Sequence, residues 1–262
     1  MIEQKKSTPD LILAPLRGLT GYGFRTAFAQ HFGGLDSAVA PFIPVPTNKP
    51  LGDNHFKDIL PELNPAVPVI PQVLGNDPEG FLGVAERVAD MGYQEINWNI
   101  GCPFVKITRK RRGAALLAYP DMVERFLSRV VKYLTIRLSV KARLGFDKKD
   151  QLLHLMPILN AFPLASLTIH ARIATQMYEG VPDLNAFREC LILSQNPVIY
   201  NGDIRTPSDA KFITRQFPKV CALMIGRGAL ADPFLPQAIR AEQSVPIAQR
   251  EERIRAFHAD LF

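Results

Sequence analysis

The sequence predicts an α/β fold, a (β/α)8 TIM barrel, from the alternation of two kinds of segment along its 262 residues. Eight short apolar runs have the length and composition of strands that are buried on both faces. Segments with helical periodicity separate these runs, and eight such repeats match a barrel better than an open, doubly wound sheet. No glycine-rich GxGxxG turn follows the first run, which argues against a dinucleotide-binding sheet.

The predicted strands are justified one by one by their apolar runs. They comprise residues 11–14, 37–40, 67–72, 95–99, 136–141, 166–170, 197–201 and 221–225. Between the fourth, fifth and sixth strands, apolar residues recur at helical spacing, as in Met122, Val123, Phe126, Leu127 and Val130, or Leu152, Leu153, Met156 and Leu159. We expect the barrel to span residues 1–240. A helical tail is expected over residues 241–262, because Ile247, Ile254, Phe257 and Leu261 are spaced for one amphipathic helix.

Composition indicates an ordinary globular protein, with 47% hydrophobic and 21% charged residues. No apolar run approaches the roughly 18 residues of a membrane helix, and the first ten residues lack the apolar stretch of a signal peptide. We therefore expect a cytoplasmic protein with no membrane partner. The three cysteines, Cys102, Cys190 and Cys221, are an odd number at unrelated spacings, which argues against a disulfide framework and against a zinc site.

The net charge of +6 favours a polyanionic partner such as nucleic acid without requiring one. Much of the positive charge lies in one short segment, which we call the basic segment; it contains Lys106, Arg109, Lys110, Arg111 and Arg112. A run of charges is usually a solvated face. The basic segment also follows a candidate reactive cysteine, so contact with phosphate groups is the second interpretation.

That cysteine, Cys102, lies between Gly101 and Pro103 at the end of the fourth predicted strand. A cysteine is most often a small buried hydrophobe, but a restricted turn also suits a thiol that must meet a substrate. The active sites of barrels lie where the strands end, and nearly every predicted strand delivers a polar or turn residue to that rim. These residues are Pro15, Gln72, Asn99, Lys141, His170, Asn201 with Gly202 and Asp203, and Gly226 with Arg227. A whole ring of them favours chemistry over packing.

Three further interpretations concern individual rim residues. Gly202 and the turn Gly226-Arg227-Gly228 follow strands seven and eight, where barrels commonly bind phosphate, although tight turns alone would also explain the glycines. Gln72 could pair with the edge of a planar ring. Lys141 supplies a fixed positive charge that suits a cofactor able to become anionic.

Seven motifs, taken in order, resemble those of the tRNA-dihydrouridine synthases. They are LAPLRGLT, PQVLGND, NWNIGCPFVKITRKRRGAALL, VKARLG, IHARIATQMYEG, NGDI and MIGRGAL, and they extend from about residue 11 to residue 240. The resemblance implies an FMN enzyme that reduces the C5–C6 double bond of a uridine in tRNA, with NADPH as the reductant. It further implies hydride transfer from reduced FMN to C6 and proton donation from Cys102 to C5, with Asn99 holding flavin and substrate in register.

The resemblance also implies roles for the other rim residues. Flavin binding is assigned to Pro15, Leu16, Arg17, Gln72, Lys141, His170, Asn201, Gly202, Asp203, Gly226 and Arg227, and tRNA binding to Tyr178, Lys106, Arg109, Lys110, Arg111 and Arg112. Two roles stay open for Tyr178: its ring stacks on a flipped uridine, or it holds its own loop in place.

The chain departs from the family pattern in two places. Thr20-Gly21-Tyr22 stands where the family has an aspartate after its first turn, and the tail is short where the family has a full helical tRNA-binding domain. One interpretation of the tail is the start of such a domain, cut short. Two alternative functions stay open: an FMN barrel that acts on a small molecule, as dihydroorotate dehydrogenases and ene-reductases do, and a non-catalytic RNA-binding barrel.

Overall fold

The computed structural model describes residues 9–45, 51–241 and 247–261. Residues 1–8, on which the expected lack of a signal peptide partly depends, and residues 242–246 of the predicted tail lie outside these ranges. The described strands are β1 Asp10–Leu13, β2 Ser37–Val39, β3 Ile43–Pro44, β4 Val69–Ile70, β5 Gln72–Leu74, β6 Glu95–Ile100, β7 Arg137–Gly145, β8 Leu167–Ile173, β9 Val198–Asn201 and β10 Ala222–Ile225.

The described helices are α1 Tyr22–His31, α2 Pro78–Asp90, α3 Val105–Thr108, α4 Pro120–Tyr133, α5 Gln151–Asn160, α6 Leu184–Leu193, α7 Pro207–Gln216, α8 Arg227–Ala231, α9 Leu235–Ala241 and α10 Ile247–Leu261. Short 3-10 turns cover Asp53–His55, Lys57–Ile59, Pro61–Leu63 and Gly113–Ala118. Within the described ranges, no helix combines the length and the apolar character needed to cross a membrane.

The strands form one parallel sheet. One chain segment, which contains β4 and β5, pairs with both sides of this sheet and so closes it. The hydrogen-bonded order is β3-β5-β6-β7-β8-β9-β10-β1-β2-β4. β4 pairs with β2, while β5, which follows it after Pro71, pairs with β6. Because β4 and β5 are almost continuous, the sheet curls round on itself, and the predicted TIM-barrel class is confirmed.

Three predicted strand boundaries were wrong. The third strand does not run unbroken from 67 to 72, because Pro71 has no N–H to donate and divides it into β4 and β5. The fifth and sixth strands do not end at Lys141 and His170. They continue to Gly145 and Ile173, because β7 and β8 keep pairing beyond both residues, through a register shift next to Arg143.

Outward-facing side chains of the strands pack against the helices and form the main hydrophobic core. In β6, for example, Ile96, Trp98 and Ile100 are fully buried. The indole ring of Trp98 stacks on Phe126 of α4, with ring centroids 3.8 Å apart. The residues of β6 that alternate with Ile96, Trp98 and Ile100 point into the barrel, since successive side chains of a strand lie on opposite faces.

The inside of the barrel is divided into an apolar side and a polar side. The apolar side is a small separate cluster of Ile12, Ala14, Val39, Ile199, Ala222 and Met224. The polar side comes from β5 to β9 and contains the buried side chains Gln72, Asn97, Asn99, Ser139, Arg143, Thr168, His170, Arg172 and Asn201. The division places hydrogen-bonding groups on one side of the space inside the rim.

Helix α1 begins after the unusual turn Thr20-Gly21-Tyr22 without a capping side chain of its own. Asp58, far along the chain, accepts a hydrogen bond from the backbone N–H of Tyr22 at 2.6 Å and also pairs with the buried guanidinium of Arg25 at 3.1 Å. A carboxylate from a distant part of the chain therefore accepts a hydrogen bond from a free backbone N–H at the start of this helix, as a local aspartate commonly does.

The predicted amphipathic helix is present as α10, and it packs against α1. The ring of Phe257 meets Phe24, Phe28 and Phe32 edge-on, with centroid distances of 5.7, 6.5 and 4.9 Å. His31 at the end of α1 pairs with Asp260 at 2.6 Å. The division of the chain into a barrel and a separate tail stays a prediction.

We expect Phe257→Ala to lower the free energy of unfolding by about 2 kcal/mol, because it removes a half-buried ring and its aromatic contacts. Urea denaturation measures the effect. Ile254→Ala is the matched control on the same helix, since Ile254 is 42% exposed. Equal losses from the two substitutions would show that the aromatic cluster does not hold α10.

Candidate active site at the carboxyl rim

A cavity of about 330 Å³ opens at the carboxyl end of the barrel. It gathers most of the residues predicted to form the site: Pro15, Leu16, Arg17, Asn99, Cys102, Lys141, His170, Tyr178, Asn201, Gly202, Asp203, Gly226 and Arg227. Gln72 and the basic segment do not line it. The structure therefore brings together at one rim residues that lie far apart in the sequence, although β7 and β8 extend past it.

Gln72 lies one layer below the cavity and is fully buried. Its amide donates to Asn97 at 2.8 Å and accepts from the amide of Asn99 at 2.8 Å. The side-chain Oδ1 of Asn99 in turn accepts hydrogen bonds from the backbone N–H groups of Gly101 and Cys102, at 3.0 and 2.9 Å. This chain of amides fixes the turn that carries the thiol.

Cys102 is 7% exposed and faces the cavity. Burial raises the pKa of its thiol above the ordinary value, and the backbone N–H of Phe104 and the charge of Arg143 offset part of the rise. At neutral pH the sulfur therefore carries its proton. Gly113 makes the turn possible, because a Cβ there would lie 2.6 Å from the carbonyl oxygen of Cys102.

Positive charge dominates the cavity. Arg17, Lys141, Arg143, Arg205 and Arg227 line it together with one carboxylate, that of Asp203. The Nζ of Lys141 donates to Asn201 at 2.8 Å. Burial, reinforced by Arg143, lowers the pKa of Lys141 to about 7. Such an arrangement suits an anionic ligand, which would restore the full charge of this lysine.

His170 is held as a neutral imidazole. Burial lowers its pKa well below the ordinary value, and Arg143, Lys141, Arg172 and Arg227 lower it further. A neutral ring keeps one nitrogen as donor and one as acceptor. His170 can therefore hydrogen-bond to a ligand without adding charge.

Two arginines of this site were missed at the sequence level. Arg143 lines the cavity and donates to the carbonyls of Gly101 at 3.1 Å and Ile173 at 2.9 Å. Burial lowers its pKa to about 10. Arg172 is fully buried beside the site. The sequence did contain a signal for both arginines. Each follows a predicted rim residue by two positions, and residues two apart on a strand lie on the same face.

The rim glycines have packing reasons for their size. A Cβ on Gly202 would lie 2.2 Å from the hydroxyl of Tyr200, and one on Gly226 would lie 3.3 Å from the Cβ of Ala14. Both residues also line the cavity. Tight packing therefore explains Gly202 by itself, and a phosphate contact at either glycine stays a prediction.

The basic segment lies outside the cavity, on α3 and the turn that follows it. Within the described residues, no ion pair joins it to a carboxylate. Asn76 holds the turn: its amide donates to the carbonyls of Lys110 and Arg111, at 3.3 and 3.2 Å, and accepts from Arg112 at 3.2 Å. Arg111 has φ = 51°, a left-handed conformation that is costly for a residue with a side chain.

All three cysteines are unpaired. Across the described ranges, no group of three or more His, Cys, Asp or Glu side chains is placed to hold a metal ion.

Comparison with known proteins gives consistent results. The family model for dihydrouridine synthase matches residues 12–259. A tRNA-dihydrouridine synthase B from Pasteurella multocida is 32% identical over 227 residues, which cover 86% of this chain and 67% of the relative. The protein of the same name from Vibrio vulnificus is 30% identical over 230 residues, with coverage of 87% and 70%.

Solved structures show the same fold at much lower identity. Morphinone reductase aligns with a TM-score of 0.64 and 11% identity, over 92% of this chain and 88% of its own. The old yellow enzyme from Trypanosoma cruzi aligns with a TM-score of 0.61 and 12% identity, over 90% and 89%. At this identity the likeness shows the barrel fold alone.

We expect Lys141→Met to stabilise the cofactor-free protein, and to do so more at pH 6 than at pH 9. The folded pKa of Lys141 is about 7, and an unfolded lysine titrates near 10.4. Between these values the unfolded chain binds more protons, so wild-type stability rises with pH. The advantage of the variant should shrink by up to about 2 kcal/mol from pH 6 to pH 9.

Urea denaturation at both pH values measures this difference, with the exposed Lys219→Met as control. An advantage for Lys141→Met that does not change with pH would mean that the lysine stays fully charged in the folded protein.

Proposed function

This chain belongs to the dihydrouridine synthase family, and we propose from that membership that it reduces the C5–C6 double bond of uridine in tRNA to dihydrouridine, with bound FMN. The observation that carries the proposal is the buried thiol of Cys102. It lies at a cation-lined cavity and keeps its proton at neutral pH. A proton donor beside a site for an anionic cofactor is what the reduction of this double bond requires.

The residues of the cavity fit FMN. Positive side chains outnumber the single carboxylate, which suits the phosphate and the anion that forms on reduction. Lys141, with its lowered pKa, suits a position beside the pyrimidine part of the flavin ring, and Arg227 suits the phosphate. We assign the backbone around Pro15, Leu16, Arg17, Asn201, Gly202 and Gly226 to the remaining contacts with the cofactor.

The protein supplies the proton and the alignment. FMN, when bound and reduced, would supply the hydride that C6 of uracil accepts. The Sγ of Cys102 donates its proton to C5, which completes the addition of two hydrogens across the double bond, and solvent returns a proton to the thiolate. Because burial raises the pKa of this thiol, the proton is retained until carbanion character develops at C5.

Asn99 and Gln72 position the donor. Asn99 holds the backbone N–H of Cys102, and Gln72 holds the Asn99 amide in the orientation that allows this. We therefore propose that Gln72 acts on the site through Asn99, since its amide is taken up by protein partners below the cavity. His170, as a neutral donor and acceptor, is assigned to the flavin.

The tRNA side is assigned to Tyr178 and to the basic segment. Tyr178 is 36% exposed at the cavity and offers a ring on which a flipped uracil can stack. The basic segment presents positive charge that no carboxylate in the described part of the chain pairs with, beside the turn of Cys102, where RNA phosphates would pass. NADPH is the proposed reductant, and we propose a cytoplasmic location in keeping with the proposed tRNA substrate.

Cys102→Ala should keep FMN and its reduction by NADPH but lower dihydrouridine formation by at least about 100-fold, the typical contribution of a general acid. Flavin absorbance measures the first two properties, and mass spectrometry of digested tRNA measures the third. Cys221→Ala is the control, because Cys221 is exposed and away from the cavity. A colourless wild-type protein that FMN cannot restore would overturn the proposed function.

Replacing Lys110 and Arg111 together by alanine should weaken tRNA binding and reduce its salt dependence by about two counterions. The replacement removes two charges that lie outside the cavity, so FMN content should not change. Binding measured over a range of KCl concentrations gives the slope, with Lys219→Ala as control. An unchanged slope would place the basic segment outside the tRNA interface.

A further inference from the structure

Arg172 is a completely buried arginine that contacts two residues of the cavity wall, His170 and Asp203. Its side chain is 0% exposed, and it is absent from the cavity wall. A buried guanidinium is costly unless its donors are all satisfied. Its partners therefore indicate what this residue is for.

Those partners are one carboxylate, one stretch of backbone and the ring of His170. Two nitrogens of Arg172 pair with the two oxygens of Asp203, at 3.1 and 2.7 Å. Further bonds go to the carbonyls of Glu179 at 3.0 Å and Gly180 at 2.6 Å, and one nitrogen lies 3.4 Å from the Nε2 of His170. Arg172 thus joins the end of β9 to the loop that follows its own strand β8.

The same loop is held from a second side by Arg227. This residue donates to the carbonyl of Tyr178 at 3.1 Å and to Asp203 at 2.8 Å. Three consecutive carbonyls, from Tyr178 to Gly180, are therefore bound by two arginines that share one carboxylate. We call this arrangement the arginine clamp; it consists of Arg172, Asp203 and Arg227.

The clamped loop is in a conformation that needs support. Met177 has φ = 52° and Gly180 has φ = 64°, so two residues of this short stretch are left-handed. For Met177, which carries a side chain, that conformation is costly. The clamp supplies the contacts that offset the cost.

The loop conformation fixes the ring of Tyr178. The guanidinium carbons of Arg143 and Arg227 lie 5.4 and 5.1 Å from its centroid. The ring of His170 lies 6.3 Å away. Because the ring is attached to the clamped backbone, any movement of the loop would change the face that Tyr178 presents at the cavity.

We propose that Arg172 is a positioning residue for the substrate, which acts through Asp203 and the loop carbonyls to hold the Tyr178 ring at the cavity mouth. The proposal rests on the proposed function for the identity of the substrate, a uracil base in RNA. It also gives Asp203 a different principal role from flavin contact, since Arg172 and Arg227 occupy its oxygens.

The test compares the Arg172→Lys and Asp203→Asn holoenzymes with wild type in two measurements. In the first, dithionite-reduced enzyme is mixed with tRNA, and the return of flavin absorbance is followed. In the second, chymotrypsin cleavage after Tyr178 reports the order of the loop without any substrate. Arg215→Lys, on the exposed surface of α7, is the matched control.

We expect both variants to keep FMN, to be oxidised by tRNA about 10- to 100-fold more slowly, and to be cut after Tyr178 at least about tenfold faster. Gly180→Val disturbs the same loop from its exposed side, at a left-handed position that resists a β-branched residue. It should reproduce both effects even if the buried variants fail to fold.

Loss of FMN from soluble Arg172→Lys would overturn the proposal, because the residue would then serve the cofactor. Wild-type rates of tRNA oxidation and loop cleavage in Arg172→Lys or Gly180→Val would overturn it as well. If wild type itself failed to react with tRNA, the proposed function would be wrong. The cleavage measurement needs no tRNA, so it would still decide whether the arginine clamp holds the loop.

Discussion

The polar side chains that strands β5 to β9 direct into the barrel must satisfy one another, because an unpaired polar group in this interior costs about 1–3 kcal/mol. That requirement joins Gln72 to Asn97 and Asn99, and Lys141 to Asn201. Each bond links neighbouring or facing strands, so the network that keeps the interior stable also aligns the rim. A change at any one of these residues would be felt at the thiol or at the cation beside it.

The sequence was sufficient for the order of the eight longer apolar runs and for the position of most rim residues, since both follow from local apolar runs and from where they end, but it did not predict the short strand β3. The sequence was insufficient where a contact between residues far apart in the chain determines how an element begins or ends. The cap of α1 comes from Asp58, and the length of β7 and β8 depends on their continued pairing. Arg143 and Arg172 were overlooked because the end of each strand was placed too early. Pro71, by contrast, was a visible signal for the break between β4 and β5.

Burying several positive charges around the cavity lowers the stability of the protein without ligand, and an anionic ligand would remove this cost. Burial lowers the pKa of Lys141 to about 7 and that of Arg143 to about 10, so near neutral pH Lys141 loses part of its charge while Arg143 keeps its charge. An anion would return Lys141 to the charged form, so binding and proton uptake are linked. The Asp203 carboxylate does not relieve this excess, since it is shared among Arg172, Arg205 and Arg227. The site is therefore preorganised for negative charge at the expense of the empty protein.

The burial that keeps a proton on Cys102 also governs its chemical vulnerability. Peroxides and alkylating reagents attack the thiolate, and a thiol with a raised pKa presents little of it. A sulfur protected in this way stays intact under oxidising conditions that would inactivate a cysteine nucleophile. Thiol-directed inhibitors would have to exploit the cavity shape rather than intrinsic reactivity, and an unselective label would first reach the exposed Cys221.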